Sequence, residues 1–269
     1  MRAATVLPIL ALSVAALAHA ADVHTVLDSV RRQVETSDYR ASGQLVRVEP
    51  NGNRTRYSAS VKGLWFAGAL HMLVDLVPPN GAAPGQSAAE GNQVGRVRLL
   101  LEMRPDGHDT IRVFRPHQEA STLLPFDKWS DSLLGGAFSY EDLLEPQFFW
   151  PGQAILKTVD CGQHSCYVLK STPGQSDRTH YSEVETWLDR TIDYPVRAEK
   201  TMKLSGTVKD FTYFGLRQSS GVWSATQVEA KIRGRAGSTL LIIRRGSAKA
   251  RLSARDFSVA QIGHFEDRP

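Results

Sequence analysis

The chain has 269 residues, with 32 Lys and Arg against 28 Asp and Glu and a formal net charge of +4. An excess this small, mostly interspersed along the chain, argues against a nucleic-acid partner. The length suits one large β domain or two small ones.

The first twenty residues, MRAATVLPILALSVAALAHA, carry one early positive charge at Arg2, an apolar stretch and an Ala18-His19-Ala20 cleavage site. This pattern predicts a signal peptide over residues 1–20 and a periplasmic mature chain over residues 21–269. The apolar stretch is short for a membrane span and no second one follows, so membrane contact is expected to be peripheral or transient at most.

One helix opens the mature chain. In DVHTVLDSVRRQVETSDY, Val23, Val26, Leu27, Val30 and Val34 recur at helical spacing. The period then drops to two. SGQLVRVEPNGNRTRYSASVKG reads as a hairpin turning at Asn51-Gly52-Asn53, and LWFAGALHMLVDLV continues the strands. Residues 78–95, rich in Pro, Gly, Ala and Ser, read as a mobile surface loop. RVRLLLEMRPDGHDTIRVFRP reads as a second hairpin around Pro105-Asp106-Gly107-His108.

The segment GGAFSYEDLLEPQFFWPG places Glu141 and Asp142 side by side. They form either a catalytic pair or a helix start. Ser139-Tyr140-Glu141-Asp142 has capping-box spacing, with Ser139 and Asp142 as the cap, and Pro146 limits the helix to a turn or two. Adjacent helical residues diverge by about 100°, which favours the cap.

The only cysteines, Cys161 and Cys166, flank four residues between two strand-like runs. An even count in an oxidising compartment favours a bridge between opposed hairpin positions. His164 raises a Cys-His-Cys metal site as the alternative, but one tight turn cannot readily surround a tetrahedral ion.

Strand patterns continue over 154–160, 166–171, 180–189, 195–205, 207–217, 222–233, 238–245 and 249–257. Arg233, Arg235, Arg244, Arg245, Lys249, Arg251 and Arg255 cluster here. They read as solvated strand faces, with an anionic surface as the alternative partner. The whole reads as a mainly β, single-domain fold: an incomplete, strongly curved antiparallel barrel of about eleven strands with helical cover.

No H-E-x-x-H, G-x-S-x-G, Walker or dinucleotide glycine motif occurs. The histidines lack metal-ligand spacing, so no metal or cofactor and no catalytic activity is expected. What remains is apolar surface. Period-two alternation offers Val46, Val48, Tyr57, Val61, Val97, Leu99, Leu101 and Val113 as inward residues, which either fill a core or line a ligand cavity.

LLPFDKWSDSLLGGAFSYEDLLE resembles the segment ending in F-S-Y-E-D-L of the LolA-like outer-membrane lipoprotein-sorting proteins. VETWLDRTIDYPVRAEKTMKLSGTVKDFTYFG is similar to that family's Trp-ending strand, Asp, Pro, strand, Gly and strand, and DFSVAQI to its closing motif. At Arg112-Val113-Phe114-Arg115-Pro116 the chain departs from a Trp-x-Tyr-x-Pro strand end. The resemblance implies an incomplete barrel with a helical lid and a cavity for the acyl chains of lipid or lipoprotein. It points to outer-membrane lipoprotein sorting or lipid transport, with an inner-membrane exporter or an outer-membrane acceptor as partner. A non-catalytic periplasmic adaptor for an envelope exporter, docking through the same fold without ligand, is the alternative.

Overall fold

The computed structural model describes residues 22–79, 95–116, 121–162 and 164–263. The expected signal peptide and most of the expected loop over 78–95 lie outside them. Helix α1 spans Val23–Glu35 and starts where the Asp22 side chain accepts from the His24 N–H at 3.2 Å. Its apolar stripe buries Val26, Leu27 and Val30 in a small core with Phe148, Leu169 and Leu188. The helical spacing read in the sequence is therefore present, and Arg31 ties the helix down by donating to the Phe148 carbonyl at 2.7 Å.

Six strands follow as a meander. They are β1 (Asp38–Val48), β2 (Arg54–Phe66), β3 (Ala69–Val77), β4 (Val97–Met103), β5 (Thr110–Phe114) and β6 (Thr122–Leu123). The β1–β2 turn lies at residues 49–53 and the β4–β5 turn at 104–109, where the sequence placed them. Between β2 and β3 the chain reverses over Ala67 and Gly68, at φ 50° and 76°. Two positive φ values make the tight hairpin turn whose twist matches the strands, and glycine adopts the second without strain.

After β6 the chain crosses the molecule. Residues 124–151 run through short 3₁₀ turns at Phe126–Lys128, Leu133–Gly135, Glu141–Leu143 and Pro146–Phe148. This belt delivers the chain to the far edge, where β7 (Gly152–Cys161) begins. The return meander comprises β8 (His164–Thr172), β9 (Tyr181–Asp189), β10 (Tyr194–Met202) and β11 (Val208–Phe214). A ribbon of β12 (Arg217–Ser219) and β13 (Val222–Ser224) precedes β14 (Gln227–Ile232) and β15 (Ser238–Ser247). The main sheet has thirteen strands in the order β6-β5-β4-β3-β2-β1-β15-β14-β11-β10-β9-β8-β7. Its named pairs are antiparallel. The first and last long strands meet at its centre, and β6 and β7 remain as edges, so the sheet is curved but not closed.

Close approach is visible where β1 meets β15. The register slips between Ser42 and Gly43, and a Cβ on Gly43 would stand 1.8 Å from the Ile242 carbonyl oxygen. Only glycine fits there, and such a bulge increases local twist.

Two expectations about the strands need correction. The strand count exceeds eleven because β6 is only two residues long, and because 222–233 divides into β13 and β14 across a turn. No strand forms over 249–257. Arg251 takes φ 56°, and Asp38 captures this stretch by accepting from the Ala250, Arg251 and Leu252 N–H groups. A 3₁₀ turn over Ala254–Phe257 follows, with a capping box from Ser253 and Asp256. A short helix α2 (Val259–Ile262) ends the described chain.

Cys161 and Cys166 are bonded, with 5.9 Å between their Cα atoms. They are not directly opposed: Cys166 pairs with Val159, and Cys161 with His164. The bridge therefore crosses the ladder diagonally. Bonded to each other, the two sulfurs are not thiolate ligands, and among the described residues no group of three or more His, Cys, Asp and Glu could hold a metal ion.

Candidate functional site: a half-filled barrel with a buried ionic wall

The concave side of the sheet is packed at one end and hollow at the other. At the packed end, β4 and β5 meet the belt. Leu99, Leu101, Ile111 and Val113 bury against a core that includes Trp129, Leu133, Phe138 and Trp150. At the hollow end lies a cavity of about 630 Å³, within the size range of small-molecule sites. One wall is Leu45, Val61, Met72 and Val74 from β1–β3, and the facing wall is Phe211, Tyr213, Val228 and Leu241 from β11, β14 and β15. Val30 and Val34 of α1, Leu133, Phe138 and Leu143 of the belt, and the β12–β13 ribbon complete it.

The sequence candidates divide three ways. Val61 lines the cavity. Tyr57, Val97, Leu99, Leu101 and Val113 lie on the same concave face but within the packed core. The register shows the shared face: Val61 opposes Val74, Val74 opposes Leu99, and Leu99 opposes Val113. Val46 and Val48 have the other parity, since Leu45 opposes Tyr57 on the inside while Val46 opposes Arg56. The pair Leu45-Val46 is apolar on both faces, so alternation alone cannot fix which points inward. Met72, Val74 and Leu76 also line the cavity, and Asp75 between Val74 and Leu76 marks the outer parity of β3.

The wall also carries charge. Asp142 is buried at 7 % exposure, and Lys200 and Lys209 at 3 % and 6 %. Lys200 and Lys209 are direct partners across β10 and β11, so both ammonium groups come from one face of one strand pair. Lys209 donates to Asp142 Oδ2 at 2.8 Å and to Ser139 Oγ at 3.0 Å. Tyr181 donates its hydroxyl to Asp142 Oδ1 at 2.5 Å. Lys200 stands 3.5 Å from the same oxygen. Burial pushes the Asp142 carboxyl up, but the two ammonium groups and the donated hydrogen bonds outweigh it and leave it lowered to about 2. Burial and the adjacent carboxylate push the Tyr181 phenol well up.

This arrangement corrects the reading of Ser139 as a helix N-cap. The Glu141–Leu143 turn is 3₁₀, with Tyr140 at its cap in helical conformation. The Ser139 N–H and hydroxyl both donate to Asp142 Oδ2, at 2.7 and 2.8 Å, and the Asp142 N–H goes to the Ser139 carbonyl. One half of a capping box is thus present, and the Ser139 hydroxyl acts as a donor that fixes a buried carboxylate. Glu141 and Asp142 do diverge. Glu141 accepts from the His180 N–H at 3.1 Å and meets its Nδ1 at 3.3 Å, and burial raises its carboxyl.

Tyrosines shape the rest of the wall. Tyr213 donates to Glu145 Oε1 at 2.8 Å, and burial followed by that carboxylate pushes its phenol well up. Tyr194 accepts from the Ala225 N–H at 3.1 Å, holding the segment that follows the ribbon to β10, and burial raises its phenol to about 12. The exposed residues Arg40, Arg217, Gln218 and Ser219 form the polar rim.

Comparisons with solved structures agree with this architecture. A DUF1329 family protein from Desulfovibrio piger superposes with a TM-score of 0.75 at 18% identity, covering 89% of this chain and 98% of its own. A structure described as an outer membrane lipoprotein-sorting protein domain, from Vibrio parahaemolyticus, gives 0.75 at 17% identity over 90% of this chain and all of its own. A LolA superfamily protein from Nitrosomonas europaea gives 0.65 at 16% identity over 90% of this chain and 100% of its own. No curated protein sequence matches. The fold is therefore LolA-like, as the F-S-Y-E-D-L resemblance implies. Residues 91–264, more than half of the chain, match the family model described in the words "Uncharacterized protein", and the chain belongs to that family.

Proposed function

We propose that this protein is a periplasmic carrier that holds the acyl chains of a lipid or lipoprotein, without covalent chemistry. The observation that supports the reading is the apolar cavity of about 630 Å³ beneath the belt of a LolA-like sheet. Transfer of each CH₂ from water contributes about 0.8 kcal/mol, so a single long chain would outweigh the cost of being immobilised. The signal-peptide pattern of residues 1–20 supports export, and no helix among the described residues is long and apolar enough to cross a membrane.

The adaptor alternative calls for a contiguous exposed apolar patch. Among the described residues the exposed large apolar side chains are Leu123, Leu156, Leu204, Phe214 and Val259. Protein purified from its native envelope should yield lipid on organic extraction and mass spectrometry. It should also bind the uncharged fluorescent probe N-phenyl-1-naphthylamine, and palmitate or hexadecanol should displace the probe. Protein that carries no lipid and never binds the probe would remove the carrier and leave the adaptor.

A further inference from the structure

The charges on the inner wall of the cavity balance. Asp142 and Glu145 match Lys200 and Lys209 one for one, so the wall offers no net charge to a ligand. The mouth does not balance. Its lip is the pair of strand ends where β1 begins and β15 finishes, and Ala41, Gly246 and Ser247 border the cavity there. Arg40 opposes Ser247 and Arg245 opposes Ser42, which places both arginines on one side of the lip. Arg217 reaches the other side, its Nη2 3.8 Å from where a Cβ on Gly246 would stand. Lys249 and Arg251 belong to the segment that Asp38 draws across the lip by accepting from the Arg251 and Leu252 N–H groups.

Arg40, Arg217, Arg245, Lys249 and Arg251 are all exposed, and among the described residues none of them makes an ion pair. Several cations nearby are matched instead: Lys62 with Asp256, Arg98 with Asp75, and Arg233 with Glu199 and Asp210. Of the carboxylates near the mouth, Asp193 borders the cavity from the turn between β9 and β10, and Glu35 shares the last turn of α1 with Arg32. The lip's own carboxylate is Asp38, already committed to backbone N–H groups. The lip is left positive.

Building on the carrier reading, we infer that this lip docks on an anionic phospholipid surface, with headgroup phosphates against its basic side chains and the cavity mouth turned to the bilayer. Guanidinium groups match phosphate oxygens in geometry as well as charge. A lipid surface fits better than a protein partner. The exposed residues between the cations are Ser42, Gly246 and Ser247, which supply none of the apolar anchors that hold a protein interface. A diffuse array of cations needs no such anchor, and each basic side chain at an anionic surface strengthens binding about fivefold. Such a contact is screened by salt and readily reversed, as a carrier that must leave again requires.

Cosedimentation tests it, with vesicles of phosphatidylcholine alone and of phosphatidylcholine and phosphatidylglycerol in equal parts. At low salt the wild-type protein should bind the anionic vesicles at least about tenfold more tightly than the neutral ones, and added salt should release it. Arg40→Gln with Arg245→Gln and Lys249→Gln should weaken that binding roughly a hundredfold. Arg54, Arg56 and Arg235 are exposed too, but lie at the opposite ends of the strands: Arg54 pairs with Val48, the last residue of β1, and Arg235 precedes β15. Changing those three to glutamine removes the same charge and should cost less than about threefold. Both triple variants should bind N-phenyl-1-naphthylamine as the wild type does, which checks that fold and cavity are intact. Equal binding of the wild type to the two vesicles, or to neither, overturns the inference and needs no variant to fold. An equal loss in the two triple variants overturns it too, by reducing the effect to net charge. Either result leaves the carrier standing while the probe binds, whereas a probe that never binds removes the carrier reading itself.

Discussion

Lys209 donates to Asp142 at 2.8 Å across 67 positions of the chain, tying strand β11 to the middle of the belt. With the bonds of His180 to Glu141 and of Tyr213 to Glu145, it anchors the belt to the return meander, so this bond positions the roof of the cavity as well as neutralising a charge. Removing Asp142 would leave two facing ammonium groups buried without a counter-ion. Asp142→Asn should therefore destabilise the protein by about 3–5 kcal/mol, the usual cost of breaking a buried pair by removing one partner. Urea denaturation measures it, and a loss below about 1 kcal/mol would mean that water reaches the lysines.

Acid should act on the same group. The folded Asp142 carboxyl is lowered to about 2, against about 3.9 in an unfolded chain. A depressed carboxylate contributes stability that is present above about pH 4 and lost as pH falls toward 2. Denaturant midpoints between those values should fall steeply in the wild type and less steeply in Asp142→Asn.

Asp109 has the opposite sign. It is buried beside the β4–β5 turn, and burial pushes it up to about 7. The Arg104 N–H at 2.7 Å pulls the other way, and Asp177, Asp106 and Glu102 add to the rise. The folded state therefore holds a proton that the unfolded state releases near pH 4, and stability should decline as pH rises from about 4 to about 7. The decline is on the order of 1–4 kcal/mol. Asp109→Asn keeps the acceptor for Arg104 and should flatten this slope. An unchanged slope would place the titration elsewhere.

The Cys161–Cys166 bridge closes a short loop at one end of the β7–β8 hairpin, so reduction should cost only about 2 kcal/mol. Mass mapping of protein from an oxidising compartment should show the linked peptide, and a melt with and without reductant should differ by a few degrees. Free thiols in that material would count against the bridge.

These residues also mark where the sequence was legible. Helix α1 and the turns around Asn51-Gly52-Asn53 and Pro105–His108 could be read because their signals are local: helical spacing, and glycine where φ must be positive. The pairing of β15 with β1 at the centre of the sheet depends on contacts some 200 residues apart, and no local pattern encodes it. The path of the belt from one sheet edge to the other follows only from the strand order. Lys200 went unnoticed because a lysine in a strand ordinarily points to water. Its inward parity was nevertheless written in the sequence, since Ala198, Lys200 and Met202 alternate with Arg197, Glu199 and Thr201.

The hollow and packed ends of the barrel make a last, paired prediction. Leu99 is fully buried in the core between β4 and the belt. Aspartate there would sit unpaired among apolar side chains, so Leu99→Asp should unfold the protein outright. Val61 lies on the same concave face but borders the void. Val61→Trp would extend into empty space instead of displacing packed atoms, and overpacking costs arise only where neighbours must move. This variant should keep its melting temperature within a few degrees and lose binding of N-phenyl-1-naphthylamine by at least tenfold. The two substitutions differ in site and chemistry, so each has a separate control: Leu99→Met should fold and bind normally, as should Val61→Ile. A folded Leu99→Asp would show that water reaches the packed end. A Val61→Trp variant that unfolds would show that the cavity is already filled, and one that folds with unimpaired probe binding would place the probe elsewhere.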